Sequence, residues 1–195
     1  MRLYLYIFII ISNLVNGQSI EWITFEQAVK AQEENPKKIL MDVYTDWCGP
    51  CKLMDKKTFQ NPYVSAYVRE HYYAVKFNAE GNETINYYNN KFTNPNYNPS
   101  KKGRNASHQF TRFLGITGYP TIVFISESGD LITPVVGYQN PQQLELYLKM
   151  IKQGDYMVFS KPDDFEKYRK NFSWGGLVRI HYYPSVPAHP RKSFF

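Results

Sequence analysis

Cysteine is scarce in this 195-residue chain: there are two, Cys48 and Cys51, both inside the stretch TDWCGPCK. With no third or fourth cysteine, a framework of several disulfides is excluded. A bridge between Cys48 and Cys51 alone would close a very short ring. It would restrict the unfolded chain little, so a reactive role explains the pair better than a stabilising one. Histidine is scarce too. The four, His71, His108, His181 and His189, lack the paired spacing that would complete a zinc site around the cysteines, and no metal is expected. Long apolar runs are missing as well. The longest, over residues 3–15, falls short of the roughly 20 residues a membrane-spanning helix needs. Positive charge outweighs negative, 23 Lys and Arg against 17 Asp and Glu, but it is dispersed, and its densest stretches are SKKGR and HPRK. Dispersed lysines usually belong to a solvated face, so nucleic acid is not an expected partner.

What is present describes a domain with a real core. Hydrophobic residues make up 43% of the chain and aromatic ones 17%, which argues against disorder and for one domain with a modest extension. The start, MRLYLYIFIIISNLVNGQSIEW, has one basic residue, a short apolar stretch and then small residues before a cut expected after Gly17. That is the build of a secretory signal peptide. Residues 1–17 are therefore expected to be removed, no cysteine near the cut offers a lipid anchor, and the location is expected to be periplasmic or secreted.

The rest reads as one α/β layer architecture. TFEQAVKAQEEN has helical spacing of Phe25, Ala28, Val29 and Ala31 behind Thr24 as N-cap. KILMDVYT is nearly all apolar and fits a central strand. A helix begins at the cysteines, and a second follows in NPYVSAYVREHY, capped by Asn61 with Pro62 in its first turn. YYAVKFNA is the next strand. Residues 80–105, rich in Asn, Gly, Pro and Tyr, read as an inserted loop with one helical turn near 85–92. Helix SHQFTRFLG, strands TIVFIS and LITPVVG, and helix NPQQLELYLKMIKQG with Gly154 as C-cap complete a domain over 18–154. In the extension, 155–195, KPDDFEKYRKNF suggests a short helix and GLVRIHYY a short strand, and the final PSVPAHPRKSFF a mobile tail. Sequons at Asn82, Asn105 and Asn171 matter only in a eukaryotic secretory pathway.

Cys-Gly-Pro-Cys at a helix start carries specific chemistry. The first cysteine meets free backbone N–H groups and the positive end of the helix dipole, which stabilise a thiolate below the free value of roughly 8.5. Cys48 then attacks a substrate disulfide, and Cys51 resolves the mixed disulfide. Pro50 suits the first turn, where its missing N–H has no partner. Trp47 would shield one side of the approach.

The sequence resembles the thioredoxin family at ILMDVYTDWCGPCK, VKFNAE, FLGITGYPTIVF and SGDLITPVVGYQNPQQLELYL, which together span roughly residues 21–153 apart from the insert. The opening helix and the KLMDKKTFQNPYVSAYVREHY segment look closer to exported bacterial thioredoxin-like proteins. They are similar to the C-terminal domain of transmembrane thiol-disulfide interchange proteins. The resemblance implies a thioredoxin fold, a central mixed β-sheet flanked by helices, here with an inserted loop and a C-terminal extension. It implies a redox-active Cys48–Cys51 disulfide and gives Asp42 the role of the buried carboxylate that takes the Cys51 proton. On its own Asp42 is an oddity in an apolar strand, either buried for a purpose or facing water at a strand edge. Lys76 matches the lysine beside that carboxylate, or is an exposed strand residue. Pro120 matches the family's cis-proline, and Gly137 the glycine flanking the same groove or a plain turn. Trp47, Gly49, Pro50, Tyr119, Pro120 and Gly137 are the expected substrate-facing residues.

By that resemblance the chain is a thiol-disulfide oxidoreductase needing no cofactor. Gly-Pro between the cysteines, with no histidine to favour the thiolate further, points to a reducing poise. The expected partners are disulfide-containing exported proteins and a membrane-embedded thiol donor. An oxidase or isomerase is the rival enzyme, and a non-redox binding module using the insert and tail is the rival of another kind. The helix after Cys51 lacks the family's midpoint proline, and Tyr44 stands where Trp or Phe is common.

Overall fold

A computed structural model describes residues 19–172. The signal peptide expected over 1–17, the strand expected in GLVRIHYY and the tail PSVPAHPRKSFF lie outside the described residues.

Five strands form the main sheet: β1 (Trp22–Ile23), β2 (Lys38–Tyr44), β3 (Tyr72–Asn78), β6 (Thr121–Ile125) and β7 (Leu131–Val136), in the order β1-β3-β2-β6-β7. β1 and β2 run parallel to β3, whereas β6 is antiparallel to β2 and β7 to β6, so the sheet is mixed. β2 sits at its centre and is buried along nearly its whole length, as its apolar run requires. Side chains alternate along it. Ile39, Met41 and Val43 join the layer of α1 (Phe25–Glu34) and α4 (Gln109–Phe113), while Leu40 joins that of α2 (Gly49–Met54), α3 (Pro62–His71) and α5 (Pro141–Gln153). Asp42 shares the Leu40 side, the side of the cysteine helix. β1 is two residues long and leaves no alternation to read from sequence.

The helix starts follow from their caps. Thr24 and Asn140 each close a capping box, with Gln27 and Gln143, and Asn61 accepts hydrogen bonds from the N–H groups of Tyr63 and Val64. Gly154 ends α5 in the left-handed conformation expected of it, at φ 81°. α2 does not stop at Met54. It widens into a π-helical segment, Asp55–Phe59, that sends Thr58 and Phe59 inward, and the Thr58 hydroxyl donates to the Gln139 carbonyl at 2.6 Å.

The insert differs from expectation. Residues 85–92 form no helical turn; they make a β-hairpin of β4 (Ile85–Tyr87) and β5 (Asn90–Phe92). The turn residues Tyr88 and Asn89 have φ 49° and 61°, the positive pair that a two-residue hairpin turn demands. Ile85 and Tyr87 are buried on either side of exposed Asn86, a two-residue period hidden by the loop-like composition. The hairpin is held by aromatic packing, with the Tyr87 and Phe92 rings 5.6 and 5.3 Å from buried Phe110. The extension begins with a 3-10 turn, Asp155–Val158, and α6 (Pro162–Asn171), the helix expected there.

Candidate functional site

Cys48 caps the N-terminus of α2, and its Sγ accepts a hydrogen bond from the Cys51 N–H at 3.1 Å. The cysteines are joined by a disulfide, with Cα atoms 5.3 Å apart, so the structure holds the oxidised state. Gly49 and Pro50 make the exposed first turn between them, where proline sacrifices no helical hydrogen bond. A sulfur at this position meets unsatisfied N–H groups and the helix dipole, both of which favour an anion.

Asp42 lies on β2, opposite Lys76 in the parallel ladder with β3 and opposite Ile122 in the antiparallel ladder with β6. It is fully buried. The Lys76 ammonium donates to its Oδ2 at 2.7 Å and also to Asp55 Oδ1 in the π-helical segment. Among the described residues Oδ1 of Asp42 has no hydrogen-bond partner. Burial raises the Asp42 pKa to about 6, an effect that the Lys76 charge and hydrogen bond partly oppose and Asp55 reinforces. Burial works against the Lys76 charge, but Asp42 and Asp55 outweigh it and push that pKa up. Its ammonium also lies 4.8 Å from the Trp22 ring and 5.1 Å from the Tyr44 ring. Of the alternatives open in the sequence, Asp42 is therefore interior and Lys76 is half-buried against it. Asp42 is thus a buried carboxylate with a pKa near 6, on the side of the sheet that carries α2.

Pro120 is buried and follows Tyr119 through a cis peptide bond. Its carbonyl accepts from the Gly137 N–H at 2.8 Å, and Gly137 adopts φ 93°, a region that disfavours any side chain. The Tyr119 ring meets the Trp47 ring edge to face at 5.9 Å. Trp47, directly before Cys48, is partly exposed. Trp47 therefore links Tyr119 to the residue before Cys48, and Gly137 is tied to Pro120 by its hydrogen bond.

The family follows from this arrangement and from comparison with known proteins. The profile of the thioredoxin-like domain matches residues 25–152. The chain belongs to that family. It resembles the thiol:disulfide interchange protein DsbD of Pectobacterium atrosepticum, at 26% identity over 121 residues, 61% of this chain and 17% of that protein. DsbD of Yersinia pestis is 27% identical over 138 residues, 69% of this chain and 19% of that one. The chain therefore spans less than a fifth of these curated relatives. Among solved structures, a thioredoxin-fold protein from Helicobacter pylori superposes with a TM-score of 0.53, at 21% identity, over 70% of this chain and 82% of that one. The mixed sheet between two helical layers is the thioredoxin fold, and the Cys48–Cys51 disulfide stands at the start of its α2 helix.

Several neighbours of the site escape sequence reading. Glu80 Oε2 accepts from Trp47 Nε1 at 2.9 Å and from the Asn105 N–H at 2.6 Å, and the Arg104 guanidinium lies 4.3 Å from the Trp47 ring centroid. Both ends of the insert therefore touch the residue next to Cys48. Asp55 is another such neighbour, sharing the Lys76 ammonium with Asp42. His108 is buried and structural: its Nδ1 accepts from the Phe110 N–H, and its Nε2 meets the Glu83 carbonyl at 2.8 Å, which assigns the proton to Nε2.

Proposed function

We propose that this chain reduces disulfides of exported proteins by dithiol exchange, drawing electrons from a membrane-embedded thiol donor. The observation that carries the reading is a disulfide at a helix N-terminus above a buried carboxylate with a pKa near 6. In the reduced enzyme, the Cys48 thiolate attacks one sulfur of the substrate disulfide. A mixed disulfide forms, and the other substrate sulfur leaves as a thiolate that takes a proton from water. Asp42 then accepts the Cys51 proton, and the Cys51 thiolate attacks Cys48 Sγ. The Cys48–Cys51 bond forms as the second substrate thiolate departs, so two electrons have passed to the substrate. A donor dithiol returns the pair to its reduced state by the same steps in reverse. The signal-like start supports the compartment, and Gly-Pro between the cysteines supports the direction. The Tyr119 backbone, turned by the cis bond to Pro120 and flanked by Gly137, would pair with the extended substrate backbone.

The reduction potential of the pair, equilibrated against glutathione or dithiothreitol, tests the direction. A value near about −270 mV is expected for a reductant, whereas roughly −180 to −120 mV would make the protein an isomerase or oxidase.

A further inference from the structure

The insert is fastened to the site at one residue. Trp47 immediately precedes Cys48, its ring meets that of Tyr119, and its indole N–H is held by Glu80. The same Glu80 oxygen holds the backbone of Asn105, so the first and last residues of the insert share one carboxylate. Between them, Arg104 lays its guanidinium against the Trp47 face at 4.3 Å.

The charges on this rim are not equally engaged. Glu80 accepts two hydrogen bonds, and Asp46 accepts one from the Asn78 amide at 3.2 Å. Exposed Arg104 has neither a hydrogen bond nor a carboxylate partner among the described residues and lies against the Trp47 ring. Stacking fixes the plane of a guanidinium and leaves its edge of N–H donors free, in a geometry that suits a carboxylate.

We propose that Arg104 is a specificity-determining residue that receives an Asp or Glu side chain flanking the substrate disulfide, with Glu80 as the positioning residue that holds the wall it stands on. The inference rests on the dithiol exchange proposed above and adds the class of substrate: disulfides with an acidic neighbour. Glu80 acts through Trp47 and Asn105 and does not touch the substrate.

The test uses two synthetic peptides, each with one disulfide, differing only by Asp or Asn beside the attacked cysteine. Single-turnover reduction by the reduced full chain is followed at low salt by rapid acid quench and trapping of the released peptide thiols. The acidic peptide is expected to react about three- to fivefold faster, the span of a partly exposed ion pair. Arg104→Ala should bring that ratio to about one, Arg104→Lys should restore part of it, and raised salt should shrink it in the parent protein. Glu80→Ala should lower the ratio, and Glu80→Gln, which keeps an oxygen acceptor, should recover it, with the reduction potential unchanged in both. Equal rates for the two peptides in the parent protein would overturn the role of Arg104 while leaving the redox function standing. So would an Arg104→Ala protein that kept the ratio. Reduction of neither peptide would overturn the redox function and this inference together.

Discussion

At the scale of single residues, Asp42 is the buried ionisable group whose titration is most displaced near the cysteines. Its folded pKa of about 6 lies above the ordinary 3.8, so the folded state binds its proton more tightly than the unfolded chain does. The stability this proton brings is full below about pH 4 and is lost as pH rises through about 6. The shift corresponds to about 3 kcal/mol at most. Urea unfolding of the oxidised protein between pH 4 and 7 should show that decline, and Asp42→Asn should flatten it. In the proposed dithiol exchange the same titration should act on catalysis with the opposite sign. Protonated Asp42 cannot accept from Cys51, so resolution of the mixed disulfide should slow as pH falls below about 6. Asp42→Asn should remove that dependence and slow resolution by about 10²-fold, read by rapid-quench trapping of the mixed disulfide. Removing the Lys76 charge, as in Lys76→Met, should move the midpoint upward, because Lys76 is what holds the Asp42 pKa down.

At the scale of elements, capping and alternation explain most of what forms. Thr24, Asn61 and Gly154 act as their local sequence indicates, because a cap needs only neighbours a few residues away. α5 offers a direct check. Asn140→Ala removes the side-chain acceptor for the Gln143 N–H and breaks the capping box, at an expected cost of about 1 kcal/mol in chemical denaturation. The hairpin of β4 and β5 was not legible. Its turn carries Tyr88 and Asn89 in place of a glycine, and its buried positions become core only once Phe110 lies beneath them. The π-helical segment is also a tertiary result. Thr58 and Phe59 turn inward towards Gln139 and Trp22, partners distant in sequence.

At the scale of the whole molecule, the extension is part of the folded body as far as it is described. Tyr156, Phe159, Phe165 and Tyr168 pack against the cluster that contains Leu144, Leu148 and Ile151, and Phe165 stacks on Tyr147 at 5.6 Å. Phe165→Ala should therefore destabilise the protein by about 1–2 kcal/mol, less than a fully buried phenylalanine would cost. Denaturant unfolding reads that loss, while the reduction potential should not move. The insert is coupled to the body at several points, among them the hairpin aromatics on Phe110, the Tyr87 hydroxyl donating to the Gly129 carbonyl, and Glu80 on Trp47.

The sequence by itself determined the cysteine pair at a helix start, the helix caps, the central strand and the order of the main elements apart from β1 and the hairpin. Each depends on neighbours in the chain or on a repeating period. Only the tertiary structure decided that Lys76 bridges Asp42 and Asp55, and that the insert meets Trp47 through Glu80 and Arg104. The same holds for the Asp42 pKa near 6. An aspartate in a strand has no pKa of its own to display; the value comes from desolvation by every element packed over it and from a cation 34 residues away.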